Sequence, residues 1–499
     1  MSGLMAQLPA LQVVVPLLGA LVAALINHRA FNYWLALAAS WASLAIAAGL
    51  TLQVLDGGTI SYAIGGWEPP WGIEYRVDEL SAFVLMLVSA VGAAAMPFAR
   101  RSVAQEIEEH RQGWFYSVYL LCLAGLLGIA ITGDAFNSFV FLEISSLAMY
   151  TLIALGKDRR APVAAFQYLI MGTIGATLYV AGIGFMYLAT GTLNFADLST
   201  RIEPAMADYS RTIVTALAFL TVGVSLKLAL VPLHMWLPNA YAYAPSFVTV
   251  FIAATSTKVA LYLLIRLFFS VVGLELAFSA LPLTDVLVVL SVVAMFAASV
   301  VAVFQTDIKR MLAYSSLAQV GYITLGIALA NHSGLTGSIV HLFNHALMKA
   351  ALFMVLGAVF YRTASVQLDD LGGLWRKMPL TTAAFVVAGL GLIGTPGTAG
   401  FISKWYLGVG ALEVPGGWIL VFLIVASSLI SVVYIGRVVE AALFRPVAPA
   451  LENATDPPAT MMVPLLVLAA AVIWFGIDTR LNAGIASRAA AMLLGGPGS

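Results

Sequence analysis

Residues 161–196, 228–257, 311–348 and 378–403 of this 499-residue chain contain no Asp, Glu, Lys or Arg. A helix of about 20 residues crosses the hydrocarbon of a bilayer, so each stretch is long enough for at least one crossing. In lipid every backbone polar group must be satisfied by the protein itself, which leaves helices or closed barrels. Barrel strands would show short alternating segments, and these runs are long and continuous. Composition agrees, with 61% apolar and 10% charged residues against roughly 45–50% and about 25% in soluble domains. The expected class is an all-α polytopic membrane protein. A soluble enzyme is excluded. So is a nucleic-acid-binding chain, because 24 basic residues balance 24 acidic ones and leave no field to attract phosphate.

Hydropathy and breaks give about fourteen spans, near 8–27, 31–54, 78–99, 113–132, 136–156, 162–190, 211–236, 243–270, 283–305, 310–330, 335–361, 380–409, 415–439 and 461–480. Alternate connections then hold fourteen basic residues, from Arg29 through Arg100, Arg101, Lys157, Arg160, Lys309 and Arg362 to Arg445. The other side holds five: Arg76, Arg201, Arg211, Arg480 and Arg488. The positive-inside rule makes the first side cytoplasmic, which puts both termini outside, in an inner (plasma) membrane. Met1–Ala10 has no positive charge ahead of the first apolar run and does not read as a cleavable signal. The loop 56–77 alternates β-formers between Gly and Pro punctuation and predicts a small outside hairpin. The segment 447–460 reads as a Pro-rich cytoplasmic linker.

Two spans are interrupted. The seventh contains Val231-Pro232-Leu233-His234, and the twelfth contains Gly394-Thr395-Pro396-Gly397-Thr398-Ala399-Gly400. Proline removes a backbone donor and clashes with the preceding turn, and such breaks survive at membrane depth only where buried or beside a wet cavity. The breaks around Pro232 and Pro396 are five spans apart, an odd shift that reverses topology. Paired breaks of this kind point to inverted repeats. The expected domains are helices 1–3 with the hairpin over 1–110, a first five-helix repeat over 111–270, a second over 271–440, and a linker with the last helix over 441–499.

The ionisable residues inside spans are few: Glu143, Lys227, Lys258, Arg266, Lys349 and Lys404. Each costs about 2.5–3.5 kcal/mol at a helix centre on insertion scales, so such residues pair or mark an ion path. Glu143, in FVFLEISSLAMY, has Lys227 as its natural partner, five residues before the first break. Lys258 lies mid-span, where a buried lysine can exchange a proton. His341, His345 and Lys349 recur every four residues along one stripe of the eleventh span, and histidine suits a proton relay. Lys404 follows the second break as the counterpart of Lys227. His234 could relay protons or bridge carbonyls freed by its break. Arg266 is expected to snorkel to the outer interface, and Asp307, Lys309 and Arg310 to anchor orientation. No metal site is expected: the i, i+4 histidines lack the glutamate of a zinc motif. No nucleotide-binding or CxxC motif is present, and one cysteine, Cys122, cannot ligate an iron–sulfur cluster. No cofactor is expected.

The segments GDAFNSFVFLEISSLAMYTLIALG, LKLALVPLHMWLPNAYAYAP, TSTKVALYLLIR, QTDIKRMLAYSSLAQVGYI, HLFNHALMKAALF and GTPGTAGFISKWY resemble the antiporter-like subunits shared by Mrp-type cation/proton antiporters, respiratory complex I and membrane-bound hydrogenases. The resemblance implies fourteen helices with inverted repeats of helices four to eight and nine to thirteen. It makes Glu143 and Lys227 the coupled pair, Lys258 the central relay, His341 and His345 the connecting histidines, and Lys404 the terminal lysine of the second half. Within the family, TGDAF and FNSFVFLEISSLAMYTLIAL look most like the D-type subunit of Mrp antiporters. The implied function is proton translocation in a multisubunit Na+/H+ antiporter, with other membrane subunits as partners and protons, Na+ and lipid as ligands. The alternative is the proton-pumping subunit of a complex I-type NADH:quinone oxidoreductase or a membrane-bound hydrogenase. In either case any redox catalysis belongs to partner chains.

Overall fold

The computed structural model describes residues 3–495, and among them thirteen helices are long and apolar enough to cross a membrane. The first are α1 (Leu8–Ile26), α2 (Arg29–Gly57), α3 (Glu79–Glu106), α4 (Gln112–Ile131), α5 (Ala135–Ala154) and α6 (Ala161–Thr190). A broken crossing follows, built from α7 (Phe195–Leu228) and the short α8 (Leu237–Tyr243), and then α9 (Ser246–Ile265). Next come α10 (Leu283–Val303), α11 (Ile308–Ala328) and α12 (His332–Thr363). A second broken crossing joins α13 (Pro379–Ile393) to α14 (Ala399–Leu412), each half too short to span alone. The chain ends with α15 (Trp418–Phe444), α16 (Ala459–Ile477) and α17 (Asn482–Leu493). Counting the second broken helix, the crossings number fourteen, as hydropathy and the breaks predict.

The helices start where the sequence supplies caps. Asp78, Asp134, Asn194, Asp307 and Asn331 each accept a hydrogen bond from the backbone N–H three residues on, which satisfies an otherwise orphaned donor of the first turn. The expected hairpin is present as antiparallel strands β1 (Ile60–Ala63) and β2 (Glu74–Val77), with Ile60 opposite Val77. The seventh crossing differs from expectation at its start. Its helix begins at Phe195 rather than near 211 and bends at Tyr209. Asp197, Arg201, Glu203 and Asp208 lower the hydropathy of that lead-in, so it reads as loop although it is helical. The same weakness hid α17.

Packing repeats across the two central groups of five. In the first, α4 touches α5 and α9, α5 touches α6, α6 touches α7, and α7 touches α9. In the second, α10 touches α11 and α15, α11 touches α12, α12 touches α13 and α14, and both halves touch α15. Helix α12 packs against α9 and joins the groups. Small residues permit these approaches. A Cβ added at Gly223 of α7 would lie 2.7 Å from the carbonyl oxygen of Gly175 on α6, the close backbone contact that membrane helices favour.

Candidate functional site

The site begins at the first break. Helix α7 ends at Leu228, and Ala229 turns left-handed with φ 61°. The carbonyl of Leu226, freed by the break, accepts from the indole Nε1 of Trp236 at 2.9 Å. Trp236 is held by stacking on Tyr168, with ring centroids 3.8 Å apart. His234, expected either to relay protons or to bridge freed backbone, lies against the Pro232 backbone at the break, while Trp236 serves the Leu226 carbonyl. An indole donor carried round the turn can reach back along α7. The Nδ1 of His234 is buried without a partner, and no hydrogen bond among the described residues joins its ring to the lysines.

Lys227 sits in the last turn of α7 and is buried. Its Nζ lies 3.3 Å from Glu143 Oε1 and donates to Ser146 Oγ at 2.8 Å, both on α5. Glu143 is only partly covered, with 27% of its side chain exposed. It lies on the outward stripe of α5 with Phe136, Val140 and Leu147. Ser145, Ser146, Tyr168, Lys227 and Ser256 border a cavity of about 20 Å³, room for one water. Ser256 belongs to α9, so this cavity reaches from Lys227 toward the helix that carries Lys258.

Every residue of α9 is buried. Lys258 Nζ donates to the Ala253 carbonyl at 2.5 Å and lies 3.4 Å from Thr257 Oγ1. No carboxylate pairs with it among the described residues. Across the α9–α12 contact lies His345, whose two ring nitrogens are buried and unpartnered among the described residues. Its charged and titratable neighbours are Lys258, Lys349 and His341. Lys349 donates to the Leu312 carbonyl at 2.8 Å and makes a short hydrogen bond to Ser315, both on α11. His341 and His345 lie nearly parallel, with ring centroids 6.0 Å apart. His341 bonds Gln319 Oε1 at 2.8 Å through Nε2 and Ser403 Oγ at 2.7 Å through Nδ1.

Ser403 leads to the second break. Gly394 and Gly397 take φ values of 90° and 83°, which glycine adopts without a Cβ penalty. Lys404 Nζ donates to the carbonyls of Leu392 at 3.2 Å and Ile393 at 2.9 Å, and to Ser428 Oγ at 2.9 Å. It also lies 4.6 Å from the centre of the Tyr322 ring, a cation–π contact. Lys404 therefore caps the end of α13, whereas Lys227 holds a carboxylate. The two lysines flank their breaks but differ in what binds them.

Lys258, His345, His341 and Lys404 neighbour one another in the interior, with Lys349 branching from them; Lys227 extends this row through the small cavity bordered by Ser256, and His234 stands apart from it. Lysine and histidine side chains can each hold and release a proton. Among the described residues no three His, Cys, Asp or Glu side chains gather as a metal-binding group. Sequence reasoning missed Ser146, Gln319, Tyr322, Ser403 and Ser428, whose neutral polarity is faint in a hydropathy scan. It also misplaced Arg266, which does not snorkel. Arg266 is buried and pairs closely with Asp78, the cap of α3, which gives its charge a partner inside the protein. Lys309, expected to anchor orientation, is buried and lies 3.2 Å from Ser246 Oγ at the start of α9.

Two broken helices, a partly covered ion pair and a lysine–histidine row define a polytopic membrane protein of the ion-translocating class. The chain belongs to the NADH:quinone oxidoreductase/Mrp antiporter transmembrane family, whose profile matches residues 132–431. It is 44% identical over 487 residues to NADH-quinone oxidoreductase subunit N of Desulforudis audaxviator, covering 95% of this chain and 96% of that protein. It is 32% identical over 358 residues to the D-type subunit of a Na(+)/H(+) antiporter from Alkalihalophilus pseudofirmus, covering 72% and 71%. Two solved assemblies contain similar chains, each with a TM-score of 0.88. One is the Mrp complex from Dietzia, at 26% identity over 99% of this chain and 98% of that one. The other is an archaeal membrane-bound sulfane sulfur reductase, at 28% over 98% of both. The expected resemblance is therefore correct at the level of the family, and relatives of both the antiporter and the oxidoreductase kind are present.

Proposed function

We propose that this chain is the proton-translocating subunit of a multisubunit Na+/H+ antiporter, moving protons along Lys227, Lys258, His345, His341 and Lys404. The carrying observation is the Glu143–Lys227 pair at the head of a row whose other lysines have no carboxylate partner among the described residues. While the pair is closed, Glu143 holds Lys227 charged, and that charge opposes a proton on Lys258. When the pair opens, Lys227 can lose its proton and Lys258 can accept one. The energy available is about 2.3 kcal/mol per charge per 100 mV, which is worth between one and two pKa units. Modest rearrangement therefore suffices. Each half of the row belongs to one of the repeats 111–270 and 271–440, the basic face is cytoplasmic and both termini lie outside, in the plasma membrane. Other membrane subunits cover the partly exposed Glu143 stripe, and Na+ is the exchanged cation.

The test is Lys227→Ala in the assembled complex, with proton uptake followed in everted vesicles. Loss of uptake with normal assembly supports the switch, and unchanged uptake contradicts it. A second reading rests on the 44% identity to an oxidoreductase subunit. The same row would then be driven by electron transfer in partner chains. Gentle solubilisation and mass spectrometry of the co-purified subunits separates the two. Iron–sulfur, flavin or nickel proteins favour the second, and small hydrophobic subunits alone favour the first.

A further inference from the structure

Between the start of α2, the end of α3 and the start of α4 lies an open cavity of about 360 Å³. Arg29, Arg100 and Arg101 border it, and no carboxylate does among the described residues. Arg29 pairs with Glu109 at the rim, but both side chains are more than half exposed, and surface pairs of this kind hold weakly. Arg100 and Arg101 are exposed and have no acidic partner among the described residues. Another cavity of the same basic face is balanced instead. There Lys157, Arg160 and Lys309 are matched by Glu106, Asp158 and Asp307.

The floor of the cavity is polar as well. Tyr33 and Tyr116 are only 7% and 3% exposed, and their rings meet edge to face at 5.7 Å. Both border the cavity, and neither hydroxyl has a hydrogen-bond partner among the described residues. The Arg100 guanidinium lies 5.6 Å from the centre of the Tyr33 ring, a cation–π contact that keeps this arginine over the floor. A buried hydroxyl left unpaired is costly. Two of them beside two unpaired guanidinium groups form a set of donors that lacks an acceptor.

The depth of the cavity says what supplies the acceptor. Arg100 stands about 32 Å along α3 from Glu79, close to the roughly 30 Å thickness of the hydrocarbon core. The guanidinium groups are therefore at the level of the lipid head groups. From the cavity the exposed stripe of α2 runs through Phe31, Trp34, Ala38, Trp41, Ala45 and Leu52, apolar throughout and with a tryptophan at the boundary, where that residue is favoured. We infer that this cavity binds the phosphodiester head group of an anionic glycerophospholipid, whose acyl chains lie along the α2 stripe. Arg100 and Arg101 hold the phosphate, whose geometry the planar guanidinium fork matches, and the Tyr33 and Tyr116 hydroxyls donate to its remaining oxygens. Basic pockets between helices at this depth suit anionic head groups. A free inorganic anion would meet the same donors but has no use for the apolar stripe. A choline lipid would bring a further positive charge among three guanidinium groups, and like charges repel. The site does not depend on the proton row.

The experiment uses the whole complex in phosphatidylcholine vesicles that carry a small share of photoactivatable phosphatidylglycerol. After illumination, the cross-linked peptides of this chain are mapped by mass spectrometry. Labelling around 29–41, 100–104 and 112–116 is expected, competed by unlabelled phosphatidylglycerol but not by inorganic phosphate. Photoactivatable phosphatidylcholine should label these peptides no more than other lipid-facing ones. Arg100→Gln combined with Arg101→Gln is expected to lower the phosphatidylglycerol yield about tenfold or more. Arg159→Gln with Arg376→Gln, which removes the same charge from exposed positions elsewhere on this face, should leave it unchanged. An unchanged yield in the first pair, or an equal fall in the second, overturns the inference. So does equal labelling by the two lipids. Displacement by phosphate overturns it too, in favour of a site for the free anion. Absence of label here in the assembled complex also contradicts it, because another subunit then covers the face. Tyr33→Phe keeps the ring and every charge, and it decides the matter if the arginine pair does not assemble. A several-fold fall supports the site, and an unchanged yield counts against it.

Discussion

Lys227 lies 3.3 Å from Glu143, and it is the one lysine of the row with a carboxylate partner among the described residues. Glu143→Gln keeps the shape and the Ser146 contact but removes the charge. Lys227 then loses the group that favours its protonated form. Transport is expected to fall about tenfold or more, with the complex still assembled. Proton uptake against an imposed gradient, normalised to the amount of complex, is the measurement.

Lys404 is fixed by backbone instead, through the Leu392 and Ile393 carbonyls at the end of α13. A Cβ at Gly394 would lie 2.9 Å from the Lys404 Cδ, at a φ of 90°. Gly394→Ala should therefore displace Lys404 and slow transport several-fold. The backbone strain adds a cost of about 1 kcal/mol. Transport rate and thermal stability measured on the same preparation separate the two effects, and a loss of stability without a loss of rate contradicts this placement.

His341 is oriented by Gln319 and Ser403, one on each ring nitrogen. Gln319→Leu leaves one nitrogen without its partner, which costs about 1–3 kcal/mol for a buried polar group. A slower rate is expected, recovered in part by Gln319→Glu, which again offers an acceptor. Equal rates in all three forms would mean that the ring orientation is irrelevant to transport.

Gly223 and Gly175 let α7 and α6 meet backbone to backbone. Gly223→Val forces these helices apart and should reduce the yield of assembled complex. Overpacking costs roughly 1–3 kcal/mol. Gly184→Val, on α6 where nothing lies within 4 Å of an added Cβ, should leave the yield unchanged. Size-exclusion profiles of both variants provide the comparison.

The parts legible in the sequence were those that lipid makes expensive. Charge-free runs located the crossings, Pro232 and Pro396 marked the breaks, and isolated charges such as Glu143 and Lys258 stood out because a bilayer penalises them. Other features were illegible for equally physical reasons. Asp78 and Arg266 are 188 residues apart, so no local pattern could reveal that Arg266 turns inward. Gln319 and Ser403 are neutral, and a hydropathy average hides them. Trp236 counts as apolar, yet its single N–H satisfies the carbonyl that the first break exposes. The lead-in of α7 and the whole of α17 carry polar residues on one face, and a span-seeking scan passes over amphipathic helices of this kind.

Lys258→Met in the assembled complex, reconstituted and assayed for proton transfer, tests the central claim most directly. Methionine is close to lysine in length and suits a site that is fully buried, so folding and assembly should persist. Proton transfer reduced about 100-fold in a complex of normal composition is the predicted result. Transfer at the parent rate in that same complex would contradict the account.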